Sequence, residues 1–503
     1  MHARYRGVVE RDETIAVRRQ ASRWRPVPAG SAGAWFGFTL GVAYLVAAVL
    51  TYRRHGLDRS TAFDLLFAPN SRLTDTYTLL GLLRTGDMYG AGFQYPPGSL
   101  VAITITDRFF SADVGAPQVA AAVAGMAILI GVLAFRDARF AERVAAGALA
   151  GMTTYATVST HAHLVVPLAV VGAATVAAIG VLWIVRRDVP RLVIVPAIAV
   201  CYPLVFSVDR GNLETYVFAL LAISASLVFG IRRSRGAAGV AGVMFGLAVA
   251  IKVLPVTLIA VQSSRRHRWA FVLAGAGGVA FASVYGLITV GQGPLDVLSA
   301  MRGNNFAGGE RPPGSLTWGL FYHRGIASAA MYALAQSRGY DAMEQVMLGL
   351  IPFFLLGGII ILLAVVVASA LLPGPVWMRY TAVAAASMLF ANASVLYRAP
   401  IIVIALSLWL ASAAIRPRGL EAATAVLFAL VLTPYAFGSI PTPLVDAAPA
   451  APSDTLYGTL ALLGLFLVVT WRWLCAYRGN RSVLRHLHGV KGVRGRASAG
   501  SRR

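Results

Sequence analysis

About a dozen apolar stretches, each close to the ~20 residues needed to cross a bilayer, dominate this chain and leave few folds open to it. A backbone inside hydrocarbon must satisfy its own hydrogen bonds. Continuous helices and closed barrels are the two solutions, and uninterrupted apolar runs of this length specify helices. Charged residues make up 13% of the 503, against about 25% in soluble proteins. The mean hydropathy is +0.69. The expected fold is therefore an all-α polytopic integral membrane protein. Barrel, secreted and disordered classes are excluded, and with only Cys201 and Cys475 present there is no disulfide framework or thiolate metal cluster.

The net charge of +23 resembles a nucleic-acid signal until its placement is read. The tail at residues 1–32 has seven Arg against three acidic residues, and the segment from Arg472 to the end has eight Arg, one Lys and no acid. Short basic clusters recur between the apolar runs, at Arg136/Arg139/Arg143, Arg186/Arg187/Arg191, Arg232/Arg233/Arg235, Arg265/Arg266/Arg268 and Arg416/Arg418. This is the positive-inside pattern, with attraction to anionic lipid, and it makes membrane lipids rather than nucleic acid the partner.

Placing each cluster in the cytoplasm gives spans near 33–51, 115–135, 144–160, 164–185, 192–208, 215–231, 269–290, 346–372, 377–395, 400–415, 421–440 and 455–474. Both termini are then cytoplasmic. The domains read as a basic tail at 1–32, a transmembrane domain at 33–476 and a second basic tail at 477–503. The stretch from Gly236 to Ser264 is flanked on both sides by Arg and contains Pro255 near its middle. It reads either as a broken helical hairpin that enters and leaves on one face, or as one ordinary span.

Two long segments opposite the basic loops, about 52–114 and 291–345, are charge-balanced and punctuated by aromatic residues, Gly and Pro. Long insertions of that kind carry function. In the first, Leu79, Leu80, Leu82 and Leu83 fall at helical spacing and predict an amphipathic surface helix that Asp75 begins and Gly86 ends, followed by Asp87-Met-Tyr89 and Tyr95-Pro96-Pro97. Asp75 is either a helix cap or a carboxylate able to take a proton from a hydroxyl; Tyr77 lies beside it. Asp209-Arg210-Gly211-Asn212-Leu213-Glu214 joins two apolar runs, as a functional cluster or a salt-bridged connection. Lys252, one of only two lysines, precedes Pro255 and suits an anionic phosphate or snorkels to water. Tyr397-Arg398 precedes Pro400, and the second loop holds Asn304, Tyr322 and His323. His161 and His163 lack a third ligand, so no metal site is expected.

The order of these motifs resembles the membrane glycosyltransferases of family 87, in the GT-C class. The resemblance rests on Gly86-Asp87-x-Tyr89, Tyr95-Pro96-Pro97, Arg210-Gly211-Asn212 and Gly246-Leu-Ala-Val-Ala-Ile-Lys252-Val-Leu-Pro255 with the basic Arg265-Arg266-His267-Arg268-Trp269 after it, and it runs from about Trp35 to Leu410. It implies a GT-C-like fold of about 12 transmembrane helices plus the broken hairpin, in the cell inner membrane with an external active site. It also implies inverting transfer of mannose or arabinofuranose from a polyprenyl-phosphate sugar to a glycolipid or glycan acceptor of an actinobacterial envelope, with no metal or other cofactor. On this resemblance Asp75 is the base, with Asp64 in reserve because Asp75 stands closer to Gly86-Asp87 than the family's Asp does. Arg210, Asn212, Lys252, Tyr397, Arg398 and His323 face the donor, Arg398 standing where the family often has a His pair. Tyr77, Tyr89, Tyr95, Glu214, Asn304 and Tyr322 make acceptor or loop contacts. A lipid-linked sugar flippase and a non-catalytic scaffold of an envelope-synthesis complex are the competing functions.

Overall fold

The structure is a computed structural model; it describes residues within 35–49, 74–110, 212–229, 234–263, 267–306, 326–390, 399–411, 418–433, 439–440, 451–452 and 457–477. Their regular secondary structure is helical apart from one antiparallel pair of two-residue strands, Ser439–Ile440 with Ala451–Pro452. The helices are α1 Thr74–Arg84, α2 Leu100–Phe110, α3 Glu214–Phe229, α4 Arg235–Ile251, α5 Ile259–Gln262, α6 Arg268–Val290, α7 Pro294–Phe306, α8 Ile326–Arg338, α9 Tyr340–Leu371, α10 Val376–Leu389, α11 Pro400–Ala411, α12 Arg418–Val431 and α13 Tyr457–Tyr477. The expected spans at 115–135, 144–160, 164–185 and 192–208 lie outside the described residues.

Among the described helices three are long and apolar enough to cross a membrane: Arg268–Val290, Pro352–Leu371 within α9, and Tyr457–Tyr477. Their surfaces are arranged for lipid. On α6, Trp269, Leu273, Phe281, Val284 and Ile288 form an exposed apolar stripe, while the buried stripe is Phe271, Gly275, Gly278, Ala282 and Gly286. Large side chains outward and small ones inward is the arrangement of a helix whose solvent is as apolar as its core.

Several boundaries differ from expectation. The apolar run at 421–440 is helical only to Val431, because Pro434 follows and the residue before a proline is pushed out of helical conformation. The run at 377–395 ends as a helix at Leu389, and the run at 400–415 is described as helix over Pro400–Ala411. The loop at 291–345 contains α7 and α8, and α9 begins at Tyr340 rather than 346. At the C-terminal end the described helix α13 runs to Tyr477, past the expected 474, and it carries Arg472. This arginine is buried: its guanidinium donates to Glu421 at 2.7 Å and to the Thr424 hydroxyl at 2.7 Å, and lies 5.2 Å from the Trp377 ring centroid. Trp473, beside it, donates to the Pro373 carbonyl in the turn between α9 and α10. This clasp holds α10, α12 and α13 together.

The closest packing in the fold is between α4 and α6. A side chain at Gly242 would collide with the Phe271 carbonyl, and one at Gly246 with the Gly275 carbonyl. At Gly278 a Cβ would stand 2.9 Å from the Val243 carbonyl oxygen. These contacts advance along both helices in the same direction, so α4 and α6 are parallel neighbours. The intervening segment therefore runs back from the end of α4 to the start of α6. α4 ends where Pro255 removes the N–H that would bond the Ile251 carbonyl. Lys252 is extended (φ −146°, ψ 132°), a short 3-10 turn spans Leu254–Leu258, and α5 completes the return. The return leg is tied to its neighbours by side chains. The Ser224 hydroxyl donates to Gln262 Oε1 at 2.8 Å, and Gln262 Nε2 donates to the Tyr380 hydroxyl at 3.3 Å.

Replacing Gly246 with Val inserts three carbons against a backbone carbonyl that cannot move aside, and overpacking of this kind costs roughly 1–3 kcal/mol or more. Gly277, on the partner helix α6 with open space around it, is the control: Gly277→Ala leaves stability unchanged or raises it by up to ~1 kcal/mol. Thermal unfolding of the two variants in detergent is expected to separate them; equal melting temperatures would refute the seam.

Candidate functional site

The site is built at the far end of the glycine seam. A Cβ on Gly286 would collide with the Pro97 carbonyl, and one on Gly98 would lie 2.6 Å from Ala250 Cβ, so the Pro97–Ser99 turn sits directly on α6 and the last turn of α4. Proline at positions 96 and 97 fixes φ and stiffens the approach to this turn. The Ser99 hydroxyl donates to the Pro96 carbonyl at 2.6 Å and closes it.

That seating brings Tyr95 over the tip of the break. Lys252 Nζ lies 5.1 Å from the Tyr95 ring centroid, within the range of a cation–π contact. The same ammonium donates to Glu214 Oε1 at 3.0 Å. Both charged residues are buried, Lys252 to 7% exposure and Glu214 to 3%. Two residues before Glu214, the Asn212 side-chain oxygen accepts from the Glu214 backbone N–H at 2.9 Å, fixing the entry to α3. The helix ends favour both charges. Glu214 is the first residue of α3, where the dipole stabilises an anion, and Lys252 caps the C-terminus of α4, where it stabilises a cation.

An aromatic wall backs the pair. Tyr89, Phe93 and Tyr95 pack in sequence, with ring centroids 5.2 Å and 5.4 Å apart, and the Tyr89 hydroxyl donates to the Tyr95 carbonyl at 3.1 Å. Burial pushes the Tyr89 phenol above its ordinary value, which keeps it a neutral donor. Asp87 accepts from Gln292 Nε2 at 2.9 Å, linking this loop to the segment between α6 and α7.

Of the residues expected from sequence, Tyr89, Tyr95, Asn212, Glu214 and Lys252 are brought together. The amphipathic helix forms as α1, with Leu79 and Leu80 buried, and its chain turns at Gly86 with φ +74°, a conformation that glycine adopts without strain. Asp75 and Tyr77 are in α1. Asn304 is in α7. Nothing is described of the side chains of these three residues. Asp64, Arg210, Tyr322, His323, Tyr397 and Arg398 lie outside the described residues.

Two features of the site were not legible beforehand. Glu214 and Lys252 are separate candidates in the sequence, and no local signal pairs residues 38 positions apart. Tyr95 has the position of an interfacial aromatic, and its role as the face under a buried cation depends on where the Pro-Pro turn is seated. The one available hint was that lone charges beside apolar runs need partners. Compared with known proteins, the chain matches no family model, no curated protein and no solved structure.

Removing one member of a buried ion pair leaves an uncompensated charge and costs about 3–5 kcal/mol, whereas removing both costs far less. Glu214→Gln and Lys252→Met are each expected to lower the melting temperature strongly, and the double variant is expected to recover most of the loss. Additive losses in that cycle would show that the two side chains do not interact. Arg84, exposed and 3.7 Å from Asp107, is the contrast: Arg84→Ala is expected to change stability by less than ~1 kcal/mol.

Proposed function

We propose that this chain is an inverting membrane glycosyltransferase of the GT-C class. On this reading it moves mannose or arabinofuranose from a polyprenyl-phosphate sugar to an envelope glycolipid or polysaccharide, on the outer side of the cytoplasmic membrane. The observation that carries the reading is the meeting of three motifs far apart in sequence. Tyr95-Pro96-Pro97, Asn212-Leu213-Glu214 and Lys252-x-x-Pro255 assemble around one buried cation at a helix break. Irregular backbone at membrane depth is tolerated where it is enclosed in protein or lines a cavity, and an ionisable group placed there is a functional candidate.

The chemistry asked of such a site is modest. An acceptor hydroxyl attacks the anomeric carbon, the bond from that carbon to the phosphate oxygen breaks, and the phosphate leaves with the electron pair. The hydroxyl proton passes to a carboxylate. Asp75, or Asp64 in its place, is assigned as that base. The leaving phosphate needs fixed positive charge in surroundings of low dielectric, where each such contact counts for more than in water. Lys252 is assigned to it, with Arg210 and Arg398 as further cations. Tyr95 and Tyr89 offer flat apolar faces with polar edges to a sugar or a prenyl chain.

A buried ion pair at a helix break also suits a translocator that carries a lipid-linked sugar without reacting it. Transfer of labelled sugar from polyprenyl phosphate to endogenous acceptor, in membranes holding the protein, separates the two. Wild type is expected to transfer. Lys252→Met and whichever of Asp75→Asn and Asp64→Asn removes the base are expected to fall by about 10²–10⁴-fold. Translocation of lipid with no transfer would replace the enzyme with the flippase, and transfer surviving both Asp substitutions would overturn the base assignment.

A further inference from the structure

Lys252 already holds an anion. Glu214 lies 3.0 Å from its ammonium, both groups are buried, and the Tyr95 face lies against the ammonium. In such surroundings a second anion does not simply add to the pair. A phosphate brought to Lys252 meets the Glu214 carboxylate as a like charge, and repulsion between like charges is strong where water is scarce. Glu214 and the phosphate therefore compete for one cation.

We infer that Glu214 is a resident counter-anion of the lipid-phosphate site. In the empty protein its carboxylate fixes the Lys252 ammonium beneath Tyr95, and the ligand phosphate takes its place on that ammonium when it binds. The inference rests on the reading of Lys252 as a phosphate contact and extends it. The site becomes a charge exchanger, in which ligand affinity is the difference between two anions' hold on Lys252 instead of the full strength of one. Two features of the local structure suit the exchange. Glu214 is the first residue of α3, so a change of its side-chain rotamer does not require the helix to unwind. Lys252 is at the break between α4 and the 3-10 turn, not in the interior of a helix, and its four-carbon stem has the rotamers to follow. Weak net binding is useful in a transferase or a carrier alike, because a phosphate held by an unopposed buried cation would not be released.

The test uses the full-length protein in detergent with polyprenyl monophosphate, free of sugar, as the probe. It reads saturable binding and the shift in melting temperature that the lipid produces. Glu214→Gln keeps the shape of the side chain and removes the competing charge. It is expected to bind the lipid phosphate about tenfold more tightly than wild type, and to gain a larger melting-temperature shift, because the phosphate restores the balance that the substitution removed. Lys252→Met is expected to lose binding. If Glu214→Gln does not fold in the empty state, the double variant Glu214→Gln/Lys252→Met and Glu214→Asp keep the question open to measurement. Glu214→Asp, whose shorter side chain holds Lys252 less closely, is expected to bind more tightly than wild type, and the double variant is expected to match Lys252→Met. Equal or weaker binding by Glu214→Gln or Glu214→Asp overturns the inference and makes Glu214 a support for Lys252. Absence of binding to wild type overturns it too. Failure of sugar transfer with these binding results intact overturns the transferase and leaves the exchanger standing.

Discussion

Two parallel helices that approach until backbone touches backbone set the geometry of everything near the site. Gly242 and Gly246 on α4 and Gly278 on α6 leave no room for side chains at the crossing, and Gly275 leaves little. In lipid there is no hydrophobic force pressing helices together, so association comes from close van der Waals packing that only small residues permit. Once the two helices are parallel, the chain between them has to come back, and Pro255 makes the reversal by ending α4 at Lys252. The same seam continues through Ala250 and Gly286, which seat the Pro97–Ser99 turn. Position of the cation and position of the aromatic face over it thus follow from one packing constraint.

Charge in this fold is placed where helix ends offset part of its cost. Glu214 and Glu421 lie in the first turns of α3 and α12, while Lys252 and Arg472 lie at or near the C-terminal ends of α4 and α13. Each buried anion sits at a positive helix end and each cation at a negative one, and the opposite charges then meet directly at 3.0 Å and 2.7 Å. The two pairs differ in setting. Arg472 is a rigid fork, bonded to a carboxylate and a hydroxyl and stacked near Trp377, and it clamps three helices. Lys252 is a flexible point charge at a break in the chain, next to the tyrosines. The first suits holding structure together and the second suits exchange with a ligand.

Apolar periodicity, basic clusters and a few breaker residues made the helices, the reversal at Pro255 and the amphipathic helix before Gly86 readable as patterns. These depend on local rules: an apolar run becomes a helix because its backbone has no other partner, and proline or glycine stops it for reasons confined to a few bonds. The ends of helices were less legible. Val431 stands well short of the apolar run's end because Pro434 follows, and the described helix α13 reaches Tyr477, beyond the expected 474. Hydropathy counts such residues without knowing what they touch.

The sequence by itself determined that this chain is a helical protein with segments long and apolar enough to cross a membrane, and that polar residues gather at the Tyr-Pro-Pro, Asn212–Glu214 and Lys252–Pro255 motifs. Only the tertiary structure decided that Glu214 pairs with Lys252, that Tyr95 lies over it, and that Arg472 is a buried clasp on Glu421. The physical reason is range. Backbone satisfaction and helix breaking act over a few residues and are written in local order, whereas pairing of charges depends on which helix surfaces are small enough to touch, and that is settled between segments 38 or 51 positions apart.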